Sequence, residues 1–163
     1  MGTTEHKKSA PQSVCVGILT ASTTRSIETD ESGAWLKKRA IKEGHTVMVH
    51  RVVPDDAEAI RAAVHEALAL SPKPQALLIN GGTGIAPKDV TIEAVRPLFK
   101  KELTAFPVLF AHLSFEEIDS AAILSRACAG IIGNTVVFCM PGSLKACKLA
   151  GKALIFSELG HVV

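Results

Sequence analysis

Aromatic side chains are scarce in this 163-residue chain, which has six Phe, one Trp and no Tyr. Hydrophobic residues still make up 47 % of it. The core therefore has to be aliphatic, built from Ala, Val, Ile and Leu, which suits a buried parallel sheet under Ala-rich helices. Net charge is equally modest at +2, which removes the electrostatic argument for a nucleic-acid or membrane partner. No apolar run is long enough to span a bilayer, and no signal-peptide pattern opens the chain. Cysteine occurs four times, as Cys15, Cys128, Cys139 and Cys147. None of these forms Cys-x-x-Cys, and no histidine stands at a zinc-ligand spacing from them. Reduced, buried thiols in a cytoplasmic protein are the expectation. The six histidines are scattered and read as surface or structural residues, with none catalytic.

The length suits one domain with its own core. Residues 1–13 are polar and read as a mobile arm, with Lys7 and Lys8 offering a partner-binding alternative. Residues 14–163 then alternate strand and helix. Apolar runs predict strands at 14–19, 46–53, 76–79 and 135–140. Helices are expected at 30–43, from Asp55 and Asp56 toward Pro72, and at 91–98, 106–113, 121–127 and 143–159. Ile60, Val64, Ala67 and Leu68 form one apolar stripe. Gly44 is placed to end the first helix, and Pro54 to stop the second strand. The alternation predicts a single three-layer α/β/α domain with a mostly parallel sheet and right-handed crossovers. In such sheets ligands bind beyond the carboxyl ends of the strands. Loops 20–32, 80–91 and 141–145 are therefore the ones to inspect.

The segment Asn80-Gly81-Gly82-Thr83-Gly84-Ile85-Ala86-Pro87-Lys88-Asp89 carries the strongest signal. Three glycines permit positive φ and let backbone N–H groups close around an anion. Thr83 adds a hydroxyl and Lys88 a cation. A tight turn that merely needs glycine is the alternative, but the Lys and Asp that follow favour an anion site. The segment is not a P-loop, because Gly-x-x-x-x-Gly-Lys-Ser/Thr is missing. It imitates the dinucleotide fingerprint only distantly and follows the third strand, which argues against a nicotinamide enzyme. Asp89 stands just before a helix, where it either caps that helix or holds Mg²⁺ beside phosphates. Asp55-x-x-Glu58 has capping-box spacing, so Asp55 reads first as a cap. Ser143, in Pro141-Gly142-Ser143, is placed to cap the last helix and to donate to an anion. Ser125-Arg126 lies in an Ala/Leu-rich stretch, with Arg126 either a surface side chain or a bidentate phosphate ligand.

Three segments together resemble the MoaB/MogA family of molybdenum-cofactor biosynthesis proteins. They are Gly81-Gly82-Thr83-Gly84-x-x-x-Lys88-Asp89-Val90-Thr91-x-Glu93-Ala94, Leu124-Ser125-Arg126-Ala127-x-Ala129-Gly130, and Thr135-Val136-Val137-Phe138-x-Met140-Pro141-Gly142-Ser143-x-Lys145-Ala146. The likeness runs from about residue 14 to 161. It implies a three-layer fold and a homotrimer or dimer of trimers. It also implies molybdopterin as substrate, with AMP transferred from MgATP to the pterin's terminal phosphate and pyrophosphate released. On that likeness Asp89 and Asp55 are the catalytic carboxylates, and Asp89 is the metal ligand. Gly81, Gly82, Thr83, Gly84, Lys88, Ser125, Arg126, Pro141, Gly142 and Ser143 are the substrate-binding residues. Lys88 stands where the family often has Arg, keeping the charge without bidentate geometry. Pro-Gly-Ser followed by Lys-Ala resembles the MoaB branch more than the MogA branch. Two other readings remain: a non-catalytic molybdopterin-binding or assembly protein of the MoaB branch, and a stand-alone relative of molybdenum-insertion or CinA-type domains.

Overall fold

A computed structural model describes residues 11–163. Of the expected arm, residues 11–13 are exposed and the rest lie outside the described residues. The chain opens with β1 (Cys15–Ala21), α1 (Glu31–Lys42), β2 (Thr46–Val53), α2 (Ala57–Leu68) and β3 (Ala76–Asn80). There follow α3 (Thr91–Val95), a 3-10 turn (Arg96–Leu98), the short β4 (Lys101–Glu102) and α4 (Ala105–Ile118). A second 3-10 turn (Asp119–Leu124), β5 (Cys128–Ile132), β6 (Thr135–Met140), α5 (Leu144–Ala150) and α6 (Leu159–Val162) complete the fold.

Six strands form one sheet in the order β2-β1-β3-β6-β5-β4. The first four run parallel, while β5 is antiparallel to β6 and β4 to β5. The mostly parallel three-layer expectation holds, with an antiparallel margin at β5 and β4 added to it. Period-2 alternation divides the core between the two faces. Ile18, Leu78 and Phe138 sit in register on one face, against Leu36 and Ala40 of α1, Phe110 of α4 and Cys147 and Ala150 of α5. Leu19, Ile79 and Cys139 face the other way, against Ile60 and Val64 of α2 and Ile92 and Val95 of α3. All five residues of β3 are buried, and each such Leu or Ile contributes about 2 kcal/mol.

Local signals place the ends of several elements. Asp30 is the N-cap of α1, accepting from Gly33 N, and Gly44 leaves that helix with φ +88. Val53 is the last residue of β2 before Pro54. Four expectations need correction. Residues 121–127 are not an α-helix: Asp119, at φ 50, ends α4, and a 3-10 turn leads into a connection that carries Ser125 and Arg126 to β5. The cap of α2 is Asp56, accepting from Ala59 N at 2.8 Å, and not Asp55. No side chain among the described residues caps α3, so Asp89 is not its cap either. Residues 143–159 are not one helix: after α5 the chain makes a π-turn (Gly151–Ile155) as Gly151 passes beneath the Trp35 ring. A methyl group on Gly151 would lie 2.9 Å from that ring.

Candidate functional site

β1, β3 and β6 are neighbours and parallel, so their carboxyl ends lie side by side, with Thr20 opposite Asn80 and Asn80 opposite Met140. The three loops expected to matter therefore leave the sheet together. The glycine loop sits in the middle. Gly81 (φ +88) and Gly82 (φ +65) adopt the left-handed backbone that disfavours side chains. A Cβ at Gly81 would run into the Ala21 carbonyl, and one at Gly82 into the Thr91 hydroxyl.

All four carbonyls of this loop are occupied. Gly81 O accepts from Thr91 Oγ1 at 2.8 Å and Gly82 O from Thr91 N at 2.9 Å. Thr83 O and Gly84 O both accept from Arg126 Nε, at 2.9 and 3.1 Å. The N–H groups of Gly82, Thr83, Gly84 and Ile85 donate to nothing among the described residues. In a trans peptide the N–H points opposite the preceding carbonyl. Bonding the carbonyls inward thus turns four consecutive N–H groups the other way, into an arrangement suited to an anion. Gly81 N is used separately, donating to Met140 O at 3.0 Å.

Two carboxylates flank the loop. Asp55 Oδ2 accepts from both the backbone N and the hydroxyl of Thr23, at 2.8 and 3.0 Å. Its Oδ1 accepts nothing from the described residues and lies 3.3 Å from where a Gly82 Cβ would be. Asp89 Oδ2 accepts from Ala86 N at 2.9 Å, while its Oδ1 is unbonded among the described residues. Gly84 leaves room for Asp89, since a Cβ there would lie 2.7 Å from Oδ2. The structure therefore brings Asp55 and Asp89 to the same glycine loop, each with one oxygen held and one open. Lys88 is exposed and makes no ion pair among the described residues.

Pro141–Ser143 forms the third wall. Ser143 caps α5, accepting from Ala146 N at 3.1 Å, as its position predicted. Gly142 packs so closely that its Cβ would lie 2.9 Å from Gly81 Cα. Its carbonyl accepts from Ser32 Oγ at 2.7 Å and Arg25 Nη1 at 3.0 Å. Ser125 joins Pro141, Ser143, Phe110 and Lys145 around a mostly apolar cleft of about 140 Å³. Arg126 is not in that cleft. Beyond its two carbonyl bonds it pairs with Glu93, at 2.6 and 3.3 Å.

A buried polar chain that no sequence motif marks lies beneath the loops. Asn80 Nδ2 donates to Thr20 Oγ1 (2.7 Å), which donates to Asp30 Oδ2 (2.6 Å), and His50 Nε2 meets the same oxygen at 2.8 Å. Burial pushes the Asp30 carboxyl up, but hydrogen bonds from Thr20, the Gly33 N–H and His50 outweigh it and hold it below the ordinary carboxylate value. Gly33 is required here, because a Cβ would strike the carboxylate and the imidazole. The His50 ring is largely buried and ties β2 to Asp30 at the start of α1. Asn80 Oδ1 and Thr83 Oγ1 are buried at the head of the glycine loop with no partner among the described residues.

This geometry can be set beside known proteins. A family profile described as "Probable molybdopterin binding domain" matches residues 17–161. The chain is 47 % identical to Molybdenum cofactor biosynthesis protein B of Bacillus subtilis (strain 168), over 100 % of this chain and 96 % of that protein. It is similar to a crystal structure of Molybdenum cofactor biosynthesis protein B, with a TM-score of 0.90 and 47 % identity over 94 % of this chain and 95 % of the other. It is also similar to the tungsten cofactor synthesizing protein MoaB from Pyrococcus furiosus, with a TM-score of 0.84 and 35 % identity over 94 % and 96 %. The chain therefore belongs to the MoaB/MogA family of molybdenum-cofactor biosynthesis proteins.

Proposed function

We propose that this protein transfers AMP from MgATP to the terminal phosphate of molybdopterin and releases pyrophosphate. The observation that carries the reading is the run of four undonated N–H groups at Gly82–Ile85, set between two carboxylates that each keep an open oxygen. Both reactants are anions. Donors fixed toward the phosphates, with the Lys88 ammonium, offset their repulsion, and Asp55 and Asp89 offer hard oxygens for the cation that arrives with ATP. One or two carboxylates plus substrate phosphates is a normal donor set for Mg²⁺, so the residues fit the ion. An oxygen of the pterin phosphate attacks the α-phosphorus, and the bond from that phosphorus to the β-phosphate bridging oxygen breaks. No covalent enzyme intermediate is needed, and the work of the protein is positioning and electrostatic stabilisation. The cleft lined by Phe110, Ser125, Pro141 and Ser143 is assigned to the pterin side.

The test is to incubate pure protein with molybdopterin, MgATP and pyrophosphatase and to look for adenylylated pterin. Product formation supports the reading. Tight molybdopterin binding with no product under the same conditions replaces it with a non-catalytic binding role.

The protein is further proposed to assemble as a homotrimer or a dimer of trimers. The support is a row of exposed apolar side chains along α4 and the turn after it. Val108, Leu109 and Phe115 are joined there by Ile123, which is 85 % exposed. Such rows mark association surfaces. Sedimentation at micromolar concentration is expected to show three or six chains, and a monomer throughout that range would remove the assignment.

A further inference from the structure

We propose that Arg126 and Glu93 are positioning residues that hold the glycine loop as an anion cradle from behind, and that Arg126 is not itself an anion ligand. The inference rests on reading that loop as the phosphate site. A guanidinium is a rigid fork, so the bonds at one end fix the aim of the other. In this protein the Nη end is gripped by both oxygens of Glu93, on α3, and the Nε end bonds the carbonyls of Thr83 and Gly84. Those two peptides are thereby oriented with the N–H groups of Gly84 and Ile85 facing away from Arg126. Thr91, on the same helix, does the equivalent for Gly81 and Gly82 with its hydroxyl and its N–H. One five-residue helix thus supplies the support for all four peptides, directly through Thr91 and indirectly through Glu93. Hydrogen bonding to Arg126 holds the Glu93 carboxyl below its usual range, and Glu93 raises Arg126 in turn, consistent with a committed pair.

The two possible roles of Arg126 predict opposite signs. If Arg126 bound phosphate, Glu93→Ala would free it and remove a nearby negative charge, and anion binding would tighten. If Arg126 aims the loop, the same variant leaves the guanidinium unanchored, and binding weakens. The probe is inorganic pyrophosphate, titrated calorimetrically into the full chain, with a thermal melt of each variant. Glu93→Ala and Arg126→Met are each expected to weaken pyrophosphate binding about tenfold, the scale seen when groups that orient a ligand's contacts are removed. The double variant is expected to be no weaker than either single one, because the pair acts as one unit. Glu93→Gln, which keeps an acceptor for the guanidinium, should recover part of the loss. Glu93 is 53 % exposed, so its variants report on binding even if Arg126→Met folds poorly. Tighter or unchanged binding by a well-folded Glu93→Ala overturns the proposal and leaves the phosphate site standing. Failure of the wild-type protein to bind pyrophosphate overturns both.

Discussion

Asp89→Asn lowers the single-turnover rate of pterin adenylylation by about a hundredfold or more, while the thermal midpoint moves by no more than about 2 °C. The separation follows from what Asp89 does and does not hold. It caps no helix, since α3 starts without a side-chain cap. Among the described residues its side chain makes one hydrogen bond, Oδ2 accepting from Ala86 N at 2.9 Å, beside the backbone bond from Asp89 N to Ala86 O. The carbonyl oxygen of an asparagine side chain accepts the same bond, so the bend between Ala86 and Asp89 persists. What disappears is the charge on the open oxygen, the part that a cation beside phosphates requires. Pyrophosphate binding without metal should survive, because the N–H groups of Gly82–Ile85 are untouched. Measuring the rate at saturating Mg²⁺ together with a melt separates the two effects. A folded variant that turns over at the wild-type rate would take Asp89 out of the mechanism.

Gly82→Val removes pyrophosphate binding almost completely and lowers the melting temperature by several degrees. A β-branched residue at φ +65 is strained by roughly 1–3 kcal/mol, and in a domain of this size each kcal/mol moves the midpoint by about 2–4 °C. Space compounds the strain. The new Cβ collides with the Thr91 hydroxyl, which holds Gly81 O, and approaches Asp55 Oδ1 at 3.3 Å. One substitution therefore unlocks a carbonyl and crowds a carboxylate at once. Gly84→Ala is the control. Gly84 has no positive φ, and its Cβ would meet only the end of the Asp89 side chain, at 2.7 Å. It is expected to bind pyrophosphate much better than Gly82→Val. Equal, undiminished binding by both variants would reduce the loop to a turn with no anion role.

Why some of this was legible in advance comes down to how far apart the interacting groups lie along the chain. The strands β1, β2, β3 and β6 are apolar runs bounded by polar or turn residues, and each was expected within two residues of its place. The glycine loop was legible because three glycines in four positions have few structural uses. β5 was not, since Cys128-Ala129-Gly130 is small-chained and reads as a continuation of the Ala/Leu-rich stretch before it. The available signal was Gly133-Asn134, a two-residue hairpin link between apolar runs, with Gly133 at φ +60. Of the adjacent acids Asp55 and Asp56, it is the second that caps α2, from an extended backbone at φ −136, ψ 130; a one-residue choice of that kind depends on backbone geometry that side-chain identities do not display. The partners of Arg126 are mainly backbone carbonyls some 40 residues away, which no side-chain pattern encodes. The meeting of Asp30, His50 and Thr20 likewise needs three elements folded before it exists.

The contact of Gly142 with Gly81 bears on how this site can change over generations. Two backbones from the loops after β3 and β6 touch with no side chain between them, a Cβ on Gly142 falling 2.9 Å from the Cα of Gly81. A clash between side chains is usually relieved by trimming the neighbour, but here there is nothing left to trim. No second-site substitution at position 81 makes room for a larger residue at 142, and a side chain at 81 is itself stopped by the Ala21 carbonyl, again backbone. Drift is thus blocked at the floor where the two loops meet, while the exposed side chain of Ile85 at the rim remains open to replacement. Diversification of substrate or nucleotide preference in this protein would have to proceed from the rim inward.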